Sequence, residues 1–262
     1  MNSLFHFEKQ DIPSIVLIHG LGSNHRSWKF QMDYFSKRCR VVVGDTRWHG
    51  KSKSIPIPAR YSIKQYADDW WKLIEKLRLR HPFVMGTGMG SSIALQIVID
   101  HPDSVGGVVL INSWSHCDDD FLMWLQKWMK IAKEEGTDGL ARFVIPHLFS
   151  KDFIQEKPEV VQFYSQVREE QEPEAIATAC KACMKFDVRD RLNRIKIPTL
   201  LIAGEYDVVS PPYRSKFILE KVPHAKYVKI NGSGHMPFLE KPSEFNRIVL
   251  DFVNTSIEES TS

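Results

Sequence analysis

Short apolar runs alternate along this chain with longer stretches whose apolar residues return every three or four positions. Residues 14–18, Ser-Ile-Val-Leu-Ile, form a brief β-branched run that ends at His19-Gly20. Similar runs occupy 40–44, ending at Asp45, and 83–85, ending at Gly86. Three more lie at 107–111, at 199–203 before Gly204-Glu-Tyr-Asp207, and at 226–230 before Asn231-Gly-Ser-Gly-His235. Runs of this length and make-up predict buried strands. Residues 61–80 place Ile63, Tyr66, Trp70, Leu73, Ile74 and Leu77 at helical steps. Residues 91–100 are small and apolar and stop at His101-Pro102, residues 245–253 predict a closing helix, and 254–262 read as a polar, frayed tail. Strands alternating with helices predict an α/β fold with a mostly parallel, doubly wound sheet.

The stretch from 114 to 189 breaks this rhythm. It has no strand pattern and is rich in aromatics, including Trp114, Phe121, Trp124, Trp128, Phe143, Phe149, Phe163 and Tyr164. Gly136, Gly139, Pro146, Pro158 and Pro173 are expected to divide it into several short helices. An all-helical insertion in a parallel sheet predicts a cap over the strand C-termini. The expected organisation is core over 1–113, helical cap over 114–189, and core again over 190–262.

Composition narrows the classes. The chain has 262 residues, is 43% hydrophobic and 26% charged, and carries a formal charge of +3, which suits a globular domain with a sizeable core. Its tightest basic cluster, Lys37-Arg38-Cys39-Arg40, precedes an apolar strand and reads as a solvated helix end, so nucleic acid is not an expected partner. No apolar stretch reaches membrane-spanning length, and residues 1–6 lack a basic segment leading into an apolar run. A reduced, cytoplasmic protein with no membrane partner is the expectation. Cys39, Cys117, Cys180 and Cys183 have no metal-ligand spacing, and Cys180 and Cys183 read as two buried thiols on one helix face. No metal or organic cofactor is implied, and nothing in the chain specifies an oligomeric state.

The chemistry gathers just after the strand C-termini, where open α/β sheets place their sites. Gly86-Thr-Gly-Met-Gly90 follows a strand and opens a helix. That is the setting of a G-x-Nu-x-G turn, so tight that side chains two residues either side of its centre would strike backbone. It is not the G-x-G-x-x-G of dinucleotide binding, and it follows the third strand rather than the first.

Its company is more specific. His19-Gly-Leu-Gly22 with Trp28 resembles the H-G-x-G…W oxyanion segment of lid-bearing α/β-hydrolases, and Asp45-Thr-Arg-Trp-His-Gly-Lys-Ser52 resembles their D-x-R-G-x-G-x-S loop. Gly204-Glu-Tyr-Asp207 with Pro211-Pro212 resembles the acid loop, Gly232-Ser-Gly-His235 the histidine loop, and residues 187–198 the connection back from the cap. The resemblance spans nearly the whole chain and is closest to the enol-lactonase, meta-cleavage-product hydrolase and small-esterase type. It implies Asp207 as triad acid, His235 as general base, and the N–H groups of Leu21 and Met89 as the oxyanion hole. A mid-sized carbonyl-bearing, apolar molecule is the implied substrate: a carboxylic ester or lactone, with carbon–carbon hydrolysis of a β-diketone-like compound close behind. Trp114, Phe121, Trp124 and Trp128 are candidates to line its pocket.

Other polar residues read as structural. His25, His81, His101, His147 and His224 are expected to be structural or solvent-facing, His49 to pack, and Asp118-Asp119-Asp120 to cap the first cap helix. Trp48 stands where the family has glycine, either beneath the cap or in the core. The main departure is Gly88, which sits where the family carries its nucleophile. Ser91 and Ser92 fall three and four residues later, in the first helical turn, and Cys117 follows a different strand, so none replaces it. Three readings stay open: a serine hydrolase whose Ser is replaced by Gly, a serine-less enzyme using His235 as base on water or substrate, and a ligand-binding protein. Retention of Asp207 and His235 weighs against the last.

Overall fold

The computed structural model describes residues 12–53, 56–58 and 60–261; residues 1–6, read above for a leader, lie outside them. In chain order the elements are β1 (Ser14–Ile18), α1 (Lys29–Phe35), β2 (Arg40–Val43), α2 (Ile63–Lys76), β3 (Phe83–Thr87), α3 (Met89–Asp100) and β4 (Gly107–Ile111). Four helices follow without a strand: α4 (Asp119–Leu148), α5 (Lys151–Glu156), α6 (Pro158–Glu169) and α7 (Pro173–Met184). The chain then forms β5 (Thr199–Gly204), α8 (Pro212–Lys221), β6 (Lys226–Ile230), α9 (Pro237–Glu240) and α10 (Pro242–Thr261).

The strands form one parallel sheet in the order β2-β1-β3-β4-β5-β6. Chain direction across the sheet reverses between β1 and β3, which pair from Ile15 opposite Phe83 to Ile18 opposite Gly86. The loops leaving their C-termini therefore diverge and leave a crevice at that edge. β1, β3, β4 and β5 are buried throughout, as expected for strands covered on both faces.

The helices follow from their residues. Ser62 and Gln65 form a reciprocal capping box at the start of α2, and Ile63, Tyr66, Ala67, Trp70 and Ile74 are its buried face. α3 is buried on every side from Met89 to Ile99, because it packs between α2 and the strands β1, β3 and β4. Each of its large aliphatic side chains contributes about 1.5–3 kcal/mol of burial. α10 packs against α1 and β4.

Two expectations change. Residues 254–261 continue α10 instead of fraying, with Ser256 and Ser260 buried and bonded back to Phe252 and Ile257 carbonyls. Gly139 and Pro146 do not break the insertion. Only Gly136 does so within α4, at φ 72° and ψ −173°, while Pro158 and Pro173 open α6 and α7. A proline in a first helical turn lacks only an N–H that would be unbonded anyway. Among the described residues no helix is long and apolar enough to cross a membrane.

Candidate active site

Backbone geometry at the end of β3 explains its glycines. A Cβ on Gly86 would overlap the Gly90 carbonyl, and one on Gly90 would overlap that of Ile18. Gly88 sits at φ 55° and ψ −121°, but its surroundings are open: a Cβ there would meet His235 Nε2 at 3.5 Å and the Trp114 ring at 4.0 Å. Position 88 thus points at the imidazole. Ser91 Oγ instead donates to the Gly88 carbonyl at 2.6 Å, and Ser92 is fully buried. Cys117 stands at the foot of α4 with its thiol pushed up to about 11 by burial. None of the three lines the cavity described below.

Asp207 and His235 arrive from the loops after β5 and β6. Asp207 Oδ1 accepts from the N–H groups of Val209 and Ser210 at 2.8 and 2.9 Å, which anchors the carboxylate in an Asx turn. Its Oδ2 faces His235 Nδ1 at 2.8 Å, with both side chains almost wholly buried. A carboxylate only accepts, so Nδ1 carries the proton and Nε2 presents its lone pair toward position 88. Gly204 lets the two loops touch, since a Cβ there would overlap the Gly234 carbonyl.

Two further side chains fix the histidine loop. Asn112, just past β4, donates to the His235 carbonyl at 2.6 Å and accepts from Gly204 N–H at 3.1 Å. Glu240 Oε1 accepts from Gly234 N–H at 2.9 Å, while Oε2 accepts from Ser150 N–H at 2.9 Å, tying the loop to the turn between α4 and α5 of the helical insertion. Burial pushes the Glu240 carboxyl up, against those hydrogen bonds.

The loops after β1 and β2 support the near side. Burial holds His19 down to about 4, so its neutral ring bridges, Nδ1 donating to the Gly20 carbonyl and Nε2 accepting from Thr46 N–H, each at 2.9 Å. Asp45 gathers the N–H groups of His25 and Lys51 and the His25 ring; burial opposes its charge, but these bonds outweigh it and hold the carboxyl low. His49 is fully buried, held down to about 3 by burial. Trp48 resolves to the core: at φ 67° it packs edge-on to Tyr61 and Tyr66 and donates to the Pro56 carbonyl. Asp118 caps α4 through Phe121 N–H, and Cys180 and Cys183 are buried thiols in α7.

One cavity joins these parts. Leu21, Gly88, Met89 and His235 form its floor, and Trp114, Phe121, Trp128, Leu148, Tyr164 and Arg168 its walls and roof. The Leu21 and Met89 N–H groups take part in no hydrogen bond among the described residues. The enclosed volume is about 30 Å³, room for a water or two, so a larger ligand enters only if roof side chains give way. Trp124 is not part of the lining. It shares one side of α4 with Phe121 and Trp128, but it is half-buried against Trp128, Phe143 and His147, outside the cavity. Among the described residues no three His, Cys, Asp or Glu side chains gather as a metal site requires. The sequence reading missed Asn112, Glu240 and Arg168. Only Asn112 offered a signal, as a polar residue directly after a strand.

Known proteins carry the same pattern. A family model described as the alpha/beta hydrolase fold matches residues 13–242. The chain is 29% identical to 3-oxoadipate enol-lactonase 2 of Acinetobacter baylyi, over 93% of this chain and 89% of that protein. It is 28% identical to RutD of Pseudomonas savastanoi pv. phaseolicola, provisionally named a carbamate hydrolase, over 93% and 95%. The crystal structure of the enol-lactonase from Burkholderia xenovorans LB400 superposes with a TM-score of 0.87 at 27% identity, covering 95% of this chain and 94% of that one. With its parallel sheet, its helical insertion between β4 and β5 and a matching model over 13–242, the chain belongs to the alpha/beta hydrolase fold family.

Proposed function

We propose that this site is built to hydrolyse a carboxylic ester or lactone through a nucleophile at position 88, and that Gly88 leaves the present chain severely impaired in that step. The observation that carries the reading is the 3.5 Å between a Cβ built on Gly88 and His235 Nε2, with Nδ1 of the same ring held by Asp207. A serine hydroxyl on that Cβ falls within hydrogen-bonding reach of Nε2, the arrangement a general base needs. The N–H groups of Leu21 and Met89 are the oxyanion donors, aimed at charge that develops as the carbonyl is attacked. Likeness to enol-lactonases supports the lactone side; the RutD relative adds a carbamate as a neighbouring acyl class. The same groups would serve carbon–carbon hydrolysis next to a carbonyl.

Without an oxygen at position 88, His235 can only draw a proton from water or from an acidic substrate. The intact Asp207–His235 pair favours this slower general-base route as the residual activity. Gly88→Ser tests the reading against short aryl esters, small lactones and carbamates. The revertant should exceed the present chain by several powers of ten and should bind an acyl group covalently, visible by mass spectrometry. An inactive, folded revertant, alongside turnover of another substrate by the glycine form, would overturn it.

A further inference from the structure

We propose that Arg168 is the anchor for a carboxylate on the substrate, so that the compounds this site accepts are anionic at the end remote from the reacting carbonyl. This rests on the acyl-hydrolase reading of the same cavity.

Arg168, near the end of α6, is 4% exposed and forms part of the cavity wall. Its Nη1 donates to the Leu21 carbonyl at 3.1 Å, and its guanidinium lies 5.8 Å from the Trp128 ring centre. Nε and Nη2 are buried and have no hydrogen-bond partner among the described residues. The neighbouring carboxylates are engaged elsewhere: Glu169 accepts from Ser165, and Glu170 pairs with Arg26 and Asn24. A buried charge without a counter-ion is costly, and one kept beside a substrate cavity invites an anion from the ligand.

The rest of the molecule shows what shape of anion fits. Nε and Nη2 form the edge that takes a carboxylate with two parallel hydrogen bonds. Arg47 uses that edge on Asp69 at 2.6 and 2.5 Å, and Arg214 uses it on Asp118 at 2.7 and 2.6 Å. Arg189 uses it on Asp187, with Nη2 at 2.6 Å. Arg168 presents the same edge with no carboxylate in it. Gly22 makes room, because a Cβ there would come within 2.9 Å of Nη2. The third nitrogen grips the carbonyl of Leu21, whose N–H is one of the two proposed oxyanion donors. An anion seated on Arg168 therefore steadies the Leu21 turn as well as the ligand.

The test is a binding measurement on the chain as it stands, with Gly88 in place, so it does not depend on turnover. Monomethyl glutarate and dimethyl glutarate, which differ by one methyl group and hence one charge, are titrated while the tryptophan fluorescence, to which Trp114 and Trp128 of the cavity contribute, is followed. The monoester should bind about tenfold more tightly or better. Arg168→Met should erase that preference and leave diester binding in place, which also shows that the cavity is intact. Arg168→Lys, which keeps the charge but not the fork, should retain only a fraction of it. Equal binding of both esters, a preference that survives Arg168→Met, or no binding of either ester would overturn the proposal. Hydrolysis by the Gly88→Ser revertant is scored separately, so failure of the anion anchor and failure of the acyl-hydrolase reading give different results.

Discussion

Asn112 holds His235 by its main chain, not its ring: the side-chain amide donates to the His235 carbonyl at 2.6 Å while its oxygen takes the Gly204 N–H. One residue at the end of β4 thereby joins the ends of β5 and β6. It sits at φ 48°, a conformation asparagine tolerates better than other side chains. Asn112→Ala should lower stability by about 2–3 kcal/mol, from two buried groups left unbonded and a strained backbone. Urea unfolding measures the loss. The proton on His235 Nδ1, seen by NMR as a far-downfield signal, should broaden or vanish.

At position 88 the glycine suits the backbone while the proposed chemistry wants a side chain. Gly88→Ser places a Cβ at φ 55° with no close contact, so the cost is conformational, about 1–2 kcal/mol. The revertant should therefore melt several degrees lower than the present chain while gaining activity. Calorimetry on the two proteins checks the stability half. A revertant as stable as the glycine form would contradict the strain.

Arg214, nearly fully buried on α8, joins Asp118 at the start of α4 to the Val209 carbonyl beside Asp207. Arg214→Met strands both partners and should destabilise by about 3 kcal/mol. Because the acid loop loses its fastening to the helical insertion, protease cleavage near residues 114–118 should become faster.

Stability should fall on mild acidification. Burial lowers His19 from 6.5 to about 4 and His49 to about 3, so the folded state resists protons that the unfolded state accepts. The contribution is whole above pH 6.5 and is lost as pH drops toward 4, by about 3 kcal/mol for His19. Urea midpoints at pH 7.5 and 5.0 should differ accordingly. His19→Gln should flatten the slope.

How far the sequence foretold the site depends on how local each signal is. The strands at 14–18 and 107–111 appear as expected, because a buried parallel strand is written in consecutive residues. The G-x-Nu-x-G turn was legible from its local spacing, although only Gly86 answers a collision within the turn; Gly90 answers one with the Ile18 carbonyl of β1. Asn112 and Arg168 acquire their roles from residues 90 or more positions away, and Glu240, though it bonds to nearby Gly234, also reaches Ser150 90 positions off; no local pattern announces that. Trp124 shows the complementary limit, since the spacing that groups it with Phe121 and Trp128 on one side of α4 does not say which of the three rings reaches the cavity. The extension of α10 was hidden by polar composition: Ser256 and Ser260 satisfy themselves on their own helix's carbonyls and can be buried.

The anchoring of Asp207 has a consequence for timing. With Oδ1 committed to two main-chain N–H groups, only Oδ2 is left for the imidazole, and the ring's single proton has one place to be. The tautomer is decided when the chain folds, before any ligand arrives. What a ligand meets is an imidazole already set in one orientation, and replacing the residue at position 88 changes what that ring faces without disturbing how it is set.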